Sequence, residues 1–173
     1  MASQPEKQEY FMRVEAYFGK EQAGYWRLLI EALKKISKHV STRLRTEVYE
    51  GFSMTLFHEE ELEKTLHVSL HFTGLRSPLI ADSIVNTILE LCDYVEVYFT
   101  VKGSIEHLQG MGENFYVEGV GVRVSTYPDK GVATFSYRLF KPNRGMNLAS
   151  KILSGKTVRS RTVSEMLRSL LGI

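Results

Sequence analysis

The chain has 173 residues, of which 43% are hydrophobic and 24% charged, with four prolines and a single cysteine, the composition of an ordered globular protein rather than a disordered one. Lone Cys92 excludes an intramolecular disulfide, argues against a structural zinc site and points to the reducing cytoplasm; the polar N-terminus has no apolar leader core and no run of about 18 apolar residues occurs, so neither export nor a membrane span is expected. The net charge of +2 conceals a division, because residues 130–164 hold eight Lys/Arg and no acid while the rest holds fourteen bases against twenty acids, and clustered cations attract polyanions or acidic surfaces.

In chain order, Ser3-Gln4-Pro5-Glu6 combines an N-cap, an early proline and a glutamate three residues after the serine, so a helix is expected over residues 3–18, ended by Gly19. Tyr25, Trp26, Leu28, Leu29, Leu33 and Ile36 recur at helical spacing and predict a second helix over 21–39. Beyond Ser41 the period becomes two. Leu44, Thr46 and Val48 then oppose Arg43, Arg45, Glu47 and Tyr49 in a strand, and two further strands over 52–56 and 66–72 flank a polar hairpin tip at 59–64.

Ile80, Ile84, Ile88 and Leu91 share one face of a helix over 78–91. A strand over 95–101 follows, then a loop over 103–112 and a hairpin of strands 115–127 and 132–140 turning at Pro128-Asp129-Lys130-Gly131. Short helices are expected over 147–153 and 163–171. Residues 51–91 and 119–153 both read strand, tip, strand, turn, helix, with residues 67–71 falling on 134–138 at a constant offset of 67, which raises a duplicated βββα unit.

The expected fold is therefore a single α+β domain spanning 1–173. About six mostly antiparallel strands form one sheet, and two N-terminal helices, a middle helix and short C-terminal helices pack on one face. This arrangement resembles several sheet-and-helix folds, among them saddle-shaped DNA binders and helix-grip ligand binders. Their signature residues are absent, so the likeness concerns fold alone.

The outward positions of these strands include Arg43, Tyr49, His67, His71, Glu96, Tyr98, Arg123 and Arg138, and none of the outward set is aliphatic. A sheet with one face on helices leaves the other as a polar platform, and Arg, His and Tyr on such a platform can bind phosphates and stack on bases. The second anion-handling surface is a basic, partly mobile segment over 141–162, carrying Lys141, Arg144, Lys151, Lys156, Arg159 and Arg161.

Catalytic signatures are missing. Gly155-Lys156-Thr157 ends like a phosphate-binding loop, but Ser150 stands where its first glycine belongs; Gly110-Met111-Gly112 has Phe115 in place of a third glycine. His67 and His71 project from one strand face roughly 13 Å apart, too far to share a metal. No catalytic residue, cofactor or metal is assigned.

The leading expectation is a non-enzymatic nucleic-acid-binding module that contacts DNA or RNA through Arg138, Lys141, Arg144, Lys151, Lys156, Arg159 and Arg161, with Tyr49 and Tyr98 as stacking platforms. The alternative is an interaction subunit that self-associates or docks an acidic protein, using the apolar stripe of Tyr10, Phe11, Val14, Tyr17 and Phe18. A third reading is a small-molecule binder or enzyme whose sheet curls around a pocket.

Overall fold

The structure is a computed structural model, and it describes residues 8–19, 24–105, 114–154 and 171–172. The segment expected as the first helix is instead strand β1 (Glu9–Gly19). Met12, Val14, Ala16 and Phe18 alternate with Phe11, Arg13, Glu15 and Tyr17, the period of a strand, and the first set is buried. The helical match arose because this strand carries aromatic residues on both faces, so Tyr10, Phe11, Val14, Tyr17 and Phe18 coincide with a 3.6 spacing. The apolar stripe that suggested an assembly surface is thus divided between the two sides of a sheet. The capping signal at Ser3 to Glu6 lies outside the described residues.

Helix α1 (Tyr25–Leu33) buries Tyr25, Leu29 and Leu33 and is shorter than the periodicity predicts. The single strand expected over 43–49 is two strands, β2 (His39–Arg43) and β3 (Thr46–Tyr49), separated by a turn in which Leu44 takes a φ of 52°. That turn resets the alternation, so Glu47 and Tyr49 face inward. Strands β4 (Phe52–Glu61) and β5 (Thr65–Leu75) make a long hairpin whose tip is residues 62–64, so most of the acidic run belongs to β4 itself.

Helix α2 (Pro78–Leu91) begins as its sequence requires, with Pro78 in the first turn and the Ser77 hydroxyl accepting the Ile80 N–H at 3.3 Å, the arrangement that satisfies an otherwise orphaned donor. After β6 (Tyr94–Lys102), the strand expected over 115–127 is also two, β7 (Asn114–Val117) and β8 (Val120–Tyr127), split by a turn at Glu118 and Gly119. Strand β9 (Val132–Phe140) and helix α3 (Leu148–Ser154) complete the described elements. At the β8–β9 turn Gly131 has a φ of 62°, and a Cβ there would sit 2.8 Å from the Gly103 carbonyl oxygen; only glycine lets the turn reach the end of β6, where the Gly103 N–H donates to the Gly131 carbonyl at 2.8 Å. The helix expected over 163–171 lies outside the described residues except for Leu171.

The architecture is α+β with one antiparallel sheet and, among the described residues, three helices. The sheet has nine strands rather than about six, in the order β2-β3-β4-β5-β1-β6-β9-β8-β7. The additional strands come from β1, read as a helix, and from the two turns that divide apparent single strands. No described helix is long and apolar enough to cross a membrane.

Strand order is pseudo-symmetric about the middle of the sheet. The β1–β6 pair lies at the centre, and outward from it β5, β4 and β3 on one side correspond to β9, β8 and β7 on the other. Arg13 pairs with His71 in one half, and Glu96 pairs with Arg138 in the other. Helices α2 and α3 follow β5 and β9 in turn.

All three helices join one cluster of buried side chains with one face of the sheet. Val14, Ala16, Phe18, Val97, Phe99, Phe135, Leu29, Leu33, Ile84, Ile88, Leu148 and Ile152 are all fully buried there. Each aliphatic or aromatic side chain removed from water in this way stabilises the fold by about 1.5–3 kcal/mol. The opposite sheet face carries no described helix.

Candidate functional site on the uncovered sheet face

Register aligns the outer-face side chains of adjacent strands into rows across the sheet. One row is aromatic. His67, Tyr17, Tyr94 and Phe140 come from β5, β1, β6 and β9, with His67 stacked on Tyr17 at 4.7 Å between centroids, Tyr17 tilted against Tyr94 at 5.4 Å and Tyr94 against Phe140 at 4.9 Å. The next row is Ser69, Glu15, Glu96 and Arg138. A third runs from His71 through Arg13, Tyr98 and Ser136 to Arg123 on β8 and Asn114 on β7.

The carboxylates at the centre of this face are already occupied. Glu15 accepts the Ser69 hydroxyl at 3.0 Å and lies 2.8 Å from His67 Nε2 and 3.5 Å from Arg13 Nε. Glu96 accepts the Tyr94 hydroxyl at 2.9 Å and the Tyr98 hydroxyl at 3.4 Å. Burial, and then the Glu96 carboxylate it donates to, holds the Tyr94 phenol up at about 12. The Arg13 guanidinium lies 4.1 Å over the Tyr98 ring, an attraction between cation and ring face.

The two halves of the face differ in what they leave open. In the N-terminal half Phe57, at an irregularity in the β4–β5 register, stacks on His71 at 4.3 Å and 10°. With that cover the ring is partly buried, and burial, reinforced by Arg13, lowers the His71 pKa below the usual histidine value. In the C-terminal half the outer face of β6, β9 and β8 forms the floor of a half-open groove of about 860 Å³, bounded by the β7–β8 turn and Asn143. Glu96, Tyr98, Tyr116, Arg123, Ser136 and Arg138 line it. Among the described residues no carboxylate lies within ion-pair distance of Arg123 or Arg138.

Of the residues singled out in the sequence, Arg138 and Tyr98 come together in this groove, and Lys141 is exposed in the short 3-10 turn directly after β9. Tyr49 is corrected. It is 3% exposed, stacks on Phe52 in the core and donates its hydroxyl to the Ile30 carbonyl at 3.0 Å, so it offers no free ring face for stacking. The turn at Leu44 accounts for the reversal.

The basic segment is also redistributed. Arg144 lies 3.5 Å from Glu90 of α2, and Lys151 of α3 donates to Glu118 at 2.7 Å. The acid-free window is one-signed along the chain but borrows acids from elsewhere in space. Lys156, Arg159 and Arg161 lie outside the described residues.

Sequence reasoning passes over Arg123, Arg13 and Tyr116 as site residues. Arg123 was legible as an outward position on its strand, but charge clustering points to the C-terminal window and away from β8. Arg13 was concealed by the helical assignment of β1. No known protein-family model matches this sequence, and no curated protein is detectably similar to it.

Proposed function

We propose that this chain is a non-enzymatic nucleic-acid-binding module that lays a single strand across the uncovered sheet face, anchored in the groove over β6, β9, β8 and β7. The observation that carries this reading is the juxtaposition of two arginines with no carboxylate partner among the described residues, Arg123 and Arg138, with the rings of Tyr98 and Tyr116 in one half-open groove. Guanidinium groups bind phosphate oxygens in pairs of hydrogen bonds, and aromatic rings on a sheet accept unpaired bases by stacking. Glu15 and Glu96, both engaged as acceptors, serve to orient neighbouring side chains rather than to move protons. Lys141 and the charges of Lys156, Arg159 and Arg161 add long-range attraction for the same ligand.

Titration of labelled single-stranded DNA, single-stranded RNA and duplex DNA at several salt concentrations tests this. Single strands are expected to bind more tightly than duplex, with affinity falling linearly on a logarithmic salt scale. Arg123→Glu with Arg138→Glu should weaken binding and flatten the slope by roughly 0.7 for each phosphate that is no longer neutralised. Absence of binding at about 50 mM salt would sink the reading. A groove walled by the β7–β8 turn also suits a compact ligand, so a free phosphorylated small molecule is the second reading.

A further inference from the structure

We infer that Arg123 and Arg138 form a clamp for a single phosphate group, with the Ser136 hydroxyl between them; the inference names the chemistry of the groove proposed above and rests on that groove being the binding site. Arg123 on β8 pairs directly with Ser136 on β9, and Arg138 lies two residues further along β9 on the same face. Such diagonal positions stand about 7–8 Å apart. Two long guanidinium side chains at that separation can converge on one anion, whereas a single arginine would suffice for a carboxylate.

The surroundings favour a tetrahedral oxyanion. Asn114 continues the row beyond Arg123, and Ser136 and Thr134 supply hydroxyls on the groove floor, so donors approach from several directions. A phosphate presents three or four oxygens to them; a planar carboxylate presents two. Glu96 is opposite Arg138 in register and keeps its charge, but its oxygens are turned to the Tyr94 and Tyr98 hydroxyls and make no ion pair with either arginine, so the two guanidinium groups outnumber the one carboxylate in the groove. At the other end of the row that holds Arg123 and Ser136 stands His71, already covered by Phe57. Among the described residues the open seat therefore lies on the β6–β9–β8 side of the face.

The test is a double-mutant cycle on the full chain with Arg123→Ala, Arg138→Ala and the double variant, plus Arg123→Lys and Arg138→Lys. Each is assayed with a ten-nucleotide single strand, with the same strand carrying uncharged methylphosphonate linkages, and with inorganic pyrophosphate. Both arginines are exposed, and far-UV circular dichroism confirms that the variants fold.

If both hold one phosphate, each alanine variant loses about ten-fold in affinity and the double variant loses little more, because the second guanidinium has no seat left to complete. Lysine variants recover only part, since an ammonium lacks the planar pair of donors, and the methylphosphonate strand shows no dependence on either arginine. Pyrophosphate binding with the same coupling, in the absence of oligonucleotide binding, upholds the clamp and refutes the nucleic-acid reading. Fully additive losses, unchanged affinity in both alanine variants, or no binding of either oligonucleotide or pyrophosphate overturns the clamp.

Discussion

Replacing Asp82 should unlatch the second half of the molecule. Asp82 lies on α2, 4% exposed, and its two carboxylate oxygens accept the backbone N–H groups of Ala149 and Ser150, both at 2.9 Å. These are donors of the first turn of α3, which have no partner within the helix. Asp82→Ala leaves the fully buried Ala149 N–H unsatisfied, at about 1–3 kcal/mol, and the partly exposed Ser150 N–H at less, so about 3 kcal/mol of stability should be lost near neutral pH. That is a large fraction of the roughly 5–15 kcal/mol typical of a domain.

Urea unfolding followed by the fluorescence of Trp26, the single tryptophan, measures the change. A loss below about 1 kcal/mol would refute the capping argument. Acidity supplies a second check. Burial pushes the Asp82 carboxyl above the usual carboxylate range, against the opposing pull of the Ser150 and Ala149 donors and Lys151. A folded-state pKa raised in this way contributes stability that is present below the unfolded value and lost as pH rises through the folded one. Wild type should therefore gain stability relative to the non-ionising Asp82→Asn as pH falls from 7 toward 4. A gap that narrows on acidification would show that the donors outweigh burial.

His71 predicts the opposite slope. Its lowered pKa means that the unfolded chain protonates first as pH falls, so its contribution to stability is full above about 6.5 and is lost as pH falls through the folded value; His71→Gln should flatten that dependence, and Phe57→Ala should raise the pKa in an NMR titration of the ring. An unchanged titration in Phe57→Ala would mean that the stacked ring is not what excludes water. Tyr49→Phe should lose about 1 kcal/mol in urea unfolding, through the missing bond to the Ile30 carbonyl, and bind single strands normally. Tyr98→Ala should retain the fold and lose about 1–3 kcal/mol of binding free energy in the same titration; greater damage to binding from Tyr49→Phe would place the binding surface elsewhere.

Local pattern was decisive for elements whose period was long and unmixed. Residues 78–91 carry Ile at every fourth position behind a Ser-Pro start, and α2 occupies those residues; Val95, Val97, Phe99 and Val101 alternate without interruption and fall within β6. Residues 9–19 failed for a physical reason. A strand at the centre of a sheet packs one face on helices and lines the other with aromatic rings, and the two sets together imitate a helical stripe.

The sequence by itself determined an antiparallel α+β protein, because a period of two assigns each side chain of a strand to a face, but not the arrangement of its helices, since the first of them is β1. It could not determine which charges remain free. Arg144 and Lys151 belong to an acid-free stretch of chain and yet meet Glu90 and Glu118, whereas Arg123, outside that stretch, meets no carboxylate among the described residues. Pairing of this kind depends on which strands and helices become neighbours. Only the tertiary structure, by setting β9 between β6 and β8, placed Arg123 diagonal to Arg138 over one groove.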